Sequence, residues 1–153
     1  MITATTLRHE LYLAIAGITD VVNALAGDVG NIREYKEEEN GDLYSTVNAM
    51  RSPGILIAAQ GFHFAGDSRR LLAQDFSIFL KTNADVFELA GFLLNGVTSA
   101  SGFDALPLMF LSIHPRYHPM EIPQLQRRSI AVDAGTNYDF WEITTAFLSR
   151  GAE

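Results

Sequence analysis

Gly54-Ile55-Leu56-Ile57-Ala58-Ala59 is apolar at every position after its glycine, and this stretch decides the fold. A strand with two apolar faces must be covered on both, so it reads as a central strand of a sheet. The next regular run, Arg69 to Lys81, alternates instead. Leu72, Phe76, Ile78 and Leu80 fall on one face, with Gln74 among them, and Asp75, Ser77 and Lys81 fall on the other. Gly61 to Ser68 joins the two runs, and Gly66-Asp67 marks a hairpin turn.

Upstream, Leu7, Leu11, Ile15, Ile18, Val22 and Leu25 recur at spacings of three and four and predict one amphipathic helix over 7–25. Thr6 is its expected N-cap and Gly27 its C-terminal stop. Asn31 to Lys36 predicts a short strand. Glu37-Glu38-Glu39-Asn40-Gly41-Asp42 follows, too densely charged to be buried, and reads as a solvated loop. Asp42 is positioned to cap a short helix through Met50, with Leu43, Val47 and Met50 facing inward, and Pro53 ends it.

Downstream, Val86, Leu89, Ala90, Leu93, Leu94 and Val97 give the clearest helical stripe in the chain, with Asn83 or Thr82 as the expected cap. Three strands are predicted after it: Leu108 to Ile113, Arg128 to Ala134, and Tyr138 to Leu148. Gly135-Thr136-Asn137 makes the last two a hairpin. Between the first two lies 114–126, whose Pro115, Pro119 and Pro123 predict irregular chain. Antiparallel strands with helices inserted imply an α+β fold, a mostly antiparallel sheet with helices packed on one face. The absence of a repeat or linker makes residues 1–153 one domain.

Hydrophobic residues at 48% and charged residues at 19% place the chain among globular proteins. The absence of cysteine excludes disulfides, thiolate metal sites and cysteine nucleophiles. No stretch supplies the roughly 18 uninterrupted apolar residues of a membrane span. The opening Met1-Ile2-Thr3-Ala4-Thr5-Thr6 lacks the pattern of a secretion signal, so a soluble protein made inside a cell is expected. A net charge of −7 repels phosphate backbones and argues against tight wrapping of nucleic acid.

The residues that could carry chemistry do not form a catalytic pattern. His114 and His118 have the i, i+4 spacing of helical metal ligands, but the intervening prolines forbid the helix. Glu121 is the nearest carboxylate, so these two histidines, like His9 and His63, are expected to be structural or superficial. Ser52, Ser101 and Ser112 lack a Gly-x-Ser-x-Gly context, and the glycines of 61–66 and 91–102 lack the pattern of a phosphate loop. No enzymatic activity, metal or cofactor is expected. More informative are Arg69-Arg70 and Arg127-Arg128, placed by this reading at the starts of strands on an otherwise acidic protein. They serve either solubility and edge protection or a charged interface. Phe62, Phe64 and Phe103 lie in or beside glycine-rich loops, folded under them or offered to a partner.

The opening amphipathic helix, the strand pair 53–57 and 73–80, the helix 85–95 and the closing hairpin through Trp141-Glu142-Ile143-Thr144-Thr145-Ala146-Phe147 together carry a family likeness. In element order, size and acidity the chain resembles the tail terminator (tail completion) proteins of long-tailed bacteriophages, small α+β subunits that close the head-proximal end of the tail tube. Segment 114–126 is not matched to that family. The resemblance implies a homo-oligomeric ring, six subunits in number, with the tail tube protein below and a neck or connector protein above. It also implies a virion location after assembly in the host cytoplasm, and a channel that DNA passes without specific binding. It carries over no catalytic residue. Glu37, Glu38, Glu39 and Asp42, with Arg69, Arg70, Arg127 and Arg128, are then the candidate channel or interface residues. Two alternatives stand beside it: another phage neck or head-completion ring, and a small ligand-binding or enzymatic α+β domain.

Overall fold

The computed structural model describes residues 4–37, 41–64, 71–82, 85–99, 108–110, 124–133 and 136–150. In chain order these form α1 (Ala4–Ala16), α2 (Thr19–Ala24), a 3-10 turn (Val29–Asn31), β1 (Ile32–Glu34), α3 (Leu43–Ala49), β2 (Gly54–Phe64), β3 (Leu71–Lys81), α4 (Val86–Ser99), β4 (Leu108–Phe110), β5 (Gln124–Asp133) and β6 (Thr136–Arg150). The strands make one six-stranded sheet in the order β1-β2-β3-β6-β4, with β5 also paired to β6. Only β1 and β2 run parallel, so the fold is α+β with a mostly antiparallel sheet, as the sequence predicts. The length of β6 accounts for the branch. One of its edges pairs with β3 from Trp141 to Arg150, and the other is shared, β5 taking Thr136 to Thr144 and β4 taking Phe147 to Ser149.

The quoted stretch is central, as its composition requires. Ile55 and Ile57 belong to one apolar cluster and Leu56 and Ala58 to another, because successive side chains leave a strand on opposite faces. On the first face Leu11 and Ile15 of α1, Val21 of α2 with Leu25 at its C-cap, and Val86, Leu89, Ala90 and Leu93 of α4 pack with Ile55, Ile57, Phe76, Ile78, Leu80 and Ile143. On the second, Val47 of α3 packs with Leu56, Ala58, Phe79 and Phe140. Three helices therefore share one face, whereas α3 covers part of the other. The expectation of helices on one face alone is corrected by that short helix.

The predicted helix over 7–25 divides at Gly17-Ile18. Ile18 adopts an extended conformation, φ −85° and ψ 106°, which ends α1 and lets α2 begin afresh. Glycine and a β-branched residue in sequence form the weakest point of that stretch. The break shifts the helical phase, so Val21 is fully buried where the unbroken stripe would bury Val22. Thr6 lies within α1, which begins at Ala4, and so is not its cap. The stop of α2 lies just before the predicted glycine: Leu25 is the C-cap, Ala26 is the first residue in the left-handed region with φ +61°, and Gly27, φ +72°, follows and sends its amide back to the Val22 carbonyl at 2.9 Å.

Asp42 caps α3, its carboxylate accepting from the Ser45 amide at 3.0 Å. The cap of α4 is Asp85 rather than Thr82 or Asn83. Its Oδ1 accepts from the amides of Phe87 at 2.9 Å and Glu88 at 3.4 Å. The loop expected over 114–126 gives way to strand at Gln124, one residue after Pro123, where β5 takes its first partner, Thr144. Of the loop predicted at Gly135-Thr136-Asn137, Thr136 and Asn137 already belong to β6, while Gly135, the predicted turn at Gly66-Asp67 and the segment 111–123 lie outside the described residues.

Candidate functional site

Of the residues singled out in the sequence, only part converges. Glu37 is exposed just beyond β1, and Glu38 and Glu39 lie outside the described residues. Asp42 is committed to its helix. The Ser45 amide, the Ser45 hydroxyl and the Tyr44 amide hold its carboxyl below the ordinary value, against a smaller opposing effect of burial. A depressed carboxyl stabilises the fold fully above its ordinary range, and that contribution disappears as the pH falls through the lowered value. Asp42→Ala is therefore expected to lower the denaturant midpoint at pH 7, and the gap from wild type should close on acidification. An equal gap at pH 7 and at pH 2 would show that the cap is not what the substitution removes.

The base of that loop is closed by the Tyr35 hydroxyl, which donates to the Gly41 carbonyl. Burial, with the charges of Glu37 and Asp42 behind it, raises the Tyr35 pKa above its ordinary value, so the hydroxyl stays a donor.

The arginine pairs fare differently. Arg69 and Arg70 lie outside the described residues. Arg127 and Arg128 stand within β5 and not at its start, because that strand begins at Gln124. Arg127 is exposed and faces Trp141 across the ladder, while Arg128 is opposite Phe140. Phe62 and Phe64 likewise belong to β2, paired with Gln74 and Leu72, and not to a loop. Phe103, His114, His118, Ser101 and Ser112 lie outside the described residues, and His63 is a strand position opposite Ala73.

His9 has a structural partner. Its Nδ1 lies 3.1 Å from Glu34 Oε2, and its ring stacks on Tyr12 with centroids 5.9 Å apart. Arg8 completes this group: Nε donates to Glu34 Oε1 at 3.2 Å and an η nitrogen donates to the Tyr35 carbonyl at 2.8 Å. The Arg8 and Glu34 side chains are 13% and 11% exposed, so this pair fastens α1 to the edge strand β1 largely out of water. Arg8→Ala leaves a mostly buried carboxylate with His9 alone and is expected to cost about 1–3 kcal/mol in urea unfolding. A change below a few tenths of a kcal/mol would show that water replaces the guanidinium there. Among the described residues no group of three or more His, Cys, Asp or Glu could hold a metal ion.

One cavity has the character of a binding groove. It measures about 540 Å³ and runs between β1 and α3, lined by Asn31, Arg33, Glu34, Ser45, Thr46, Ala49, Met50, Arg51 and Leu56. Leu56 forms its floor and is the register partner of Arg33. Gly54 keeps the far wall close, since a Cβ there would come within 2.5 Å of the Arg51 carbonyl oxygen. Most polar side chains of the lining are already engaged. Asn31 donates to the Leu25 carbonyl at 2.9 Å, and Thr46 donates to the Asp42 carbonyl at 2.8 Å. Ser45 bonds the Asp42 carboxylate, and Glu34 holds Arg8. The Arg33 and Arg51 side chains are exposed, and their guanidinium groups make no ion pair or hydrogen bond among the described residues. Two uncommitted guanidiniums in a groove suit an anionic group with several acceptor oxygens.

Sequence reasoning missed both arginines, because isolated cations between polar neighbours carry no pattern. It missed a second surface feature too, Phe87, which is 66% exposed on α4 and meets Trp141 edge-to-face at 5.5 Å. No helix among the described residues is long and apolar enough to cross a membrane. The chain matches no family model and no curated protein.

Proposed function

We propose that the protein is a structural virion subunit of the tail terminator kind, one that assembles into a ring, caps the tail tube and joins it to the neck. The observation that carries self-assembly is the overhang of β5 and β6. Pairing of β3 with β6 ends at Leu80 and Trp141 and Phe140 is the last residue held in the second cluster, yet β5 and β6 stay paired from Ser129 and Asp139 out to Asp133 and Thr136. This stretch is a two-stranded ribbon with no third strand among the described residues. Isolated ribbons are marginally stable in water, so an arm of this kind gains most by lying against a neighbouring copy. The short edge strand β1 provides a second open border.

The resemblance in element order adds the tail, and the net charge of −7 suits a channel through which DNA slides without adhering. The ring has six copies on this reading, with the tail tube protein on one side and a connector protein on the other. The direct test adds the purified protein to growing tail tubes that lack a terminator, followed by electron microscopy. A ring at one end of each tube and an arrest of lengthening are expected. Tubes that keep growing with bare ends, or a monomer that instead binds a metabolite, would overturn the reading.

A further inference from the structure

We propose that the groove between β1 and α3 binds a small sugar phosphate, Arg33 and Arg51 holding the phosphate while Asn31, Ser45 and Thr46 receive the hydroxyls. All of its walls come from one subunit, so the site goes beyond the ring reading and stands or falls separately.

Charge and the number of donors select the phosphate. Arg33 is the register partner of Leu56, and Leu56 belongs to the apolar cluster under α3, so Arg33 stands on the α3 face of the sheet. Arg51 follows α3 in the chain and borders the same groove. A carboxylate has two oxygens, which a single guanidinium fork can satisfy. A phosphate monoester presents three oxygens and nearly two negative charges at neutral pH, so it matches two guanidiniums in both respects. Glu34, the one carboxylate among the lining residues, does not compete for them. Its two oxygens meet Arg8 at 3.2 Å and His9 at 3.1 Å. The end of α3, where carbonyls carry partial negative charge, is met by the Lys81 ammonium. That group donates to the Asn48 carbonyl at 2.5 Å and to the Met50 carbonyl at 3.1 Å. The overall charge of −7 opposes a polyanion such as DNA far more than it opposes a small dianion.

The rest of the lining selects the body of the ligand. A groove of about 540 Å³ is of small-molecule size, well beyond what a phosphate group alone fills. Its neutral polar side chains have spent donors inside the fold: Asn31 on the Leu25 carbonyl, Thr46 on the Asp42 carbonyl and Ser45 on the Asp42 carboxylate. Acceptor oxygens remain on all three, and acceptors call for hydroxyl donors on the ligand. Ala49, Met50 and the Leu56 floor supply apolar surface for the carbon faces of a sugar. The lining residues include no aromatic ring on which a nucleotide base could stack. A body that is hydroxylated, phosphorylated and without a base is a sugar phosphate.

Titration calorimetry of the purified protein with ribose-5-phosphate, glucose-6-phosphate, inorganic phosphate, AMP and the two free sugars tests this. At least one sugar phosphate should bind about tenfold or more tightly than inorganic phosphate or AMP, and neither free sugar should give saturable binding. Arg33→Ala and Arg51→Ala should each weaken that sugar phosphate by about tenfold or more, the loss of a charged hydrogen-bonding partner. Both positions are exposed, so thermal unfolding should be unchanged. Ala49→Phe, also at an exposed position, should crowd out the sugar while leaving inorganic phosphate its two arginines. Failure of both sugar phosphates to bind, or binding that survives the loss of both arginines, would overturn the site. Inorganic phosphate or AMP binding as tightly as either sugar phosphate would overturn the class of ligand. Sedimentation of the protein without ligand reports on the ring alone, so the two readings fail independently.

Discussion

Phe79→Ala is expected to lower the unfolding free energy by about 3–5 kcal/mol, the usual cost of removing a buried phenyl ring and leaving a cavity. Phe79 is fully buried on the α3 face of the sheet. Its ring meets Phe140 edge-to-face with centroids 5.4 Å apart and Tyr44 in the same manner at 6.5 Å. Tyr44 in turn stacks on Phe140 at 6.1 Å, so the three rings form a closed triangle linking α3, β3 and β6. Each such pair adds about 0.5–1.5 kcal/mol beyond its buried area, which places the variant toward the upper end of the range. Phe79→Leu refills most of the volume and should recover more than half of the loss. Urea midpoints for both variants decide the matter. A loss below about 1 kcal/mol for Phe79→Ala would show that this face is loosely packed and that α3 is not anchored through it.

Leu93→Ala is expected to cost about 2–5 kcal/mol by the same mechanism on the opposite face. Leu93 is fully buried and shares its cluster with Val86, Leu89 and Ala90 along α4. That cluster reaches α1, α2 and the strands β1, β2, β3 and β6, so the cavity would open where several elements meet and cannot close by one side chain turning. The built-in control is Phe87 on the same helix. It is larger but 66% exposed, and it touches Trp141 at 5.5 Å, so Phe87→Ala should cost less than Leu93→Ala. An unchanged midpoint for Leu93→Ala, or the reverse order of the two, would mean the helix packs through a different stripe.

The contrast between these two positions shows where the sequence was readable. The α4 stripe was legible because its apolar spacing follows one period over many residues, and the structure buries Val86, Leu89, Ala90 and Leu93 from it. Residues 54–59 were legible for the complementary reason, since nothing polar offers that strand an outer face. Phe79 was overlooked because Asp75, Ser77 and Lys81 around it look like a solvated face. That face is instead partly covered by α3, and Ser77 is buried there, its hydroxyl accepting from the Gln60 amide at 3.1 Å. The helix break at Gly17-Ile18 was hidden because the apolar spacing continues through it while the backbone does not. Proline density over 114–126 concealed the first residues of β5, since strand pairing with β6 can resume directly after Pro123.

Less of the candidate site was legible. The acidic run and the cap at Asp42 stand out locally, because charge density and capping act over a few residues. The groove does not, because Arg33 and Arg51 converge only through the β1–β2 register and the return path of α3. The overhang of β5 and β6 depends likewise on where β3 stops, which is a property of the whole sheet.

The most direct test of a ring-forming subunit is the mass of the untagged protein in solution, by native mass spectrometry or sedimentation at micromolar concentration. The account predicts a closed assembly of about six times the 16.8 kDa subunit mass. A single species at the subunit mass, unchanged by concentration and unchanged in the presence of tail tubes, would contradict it.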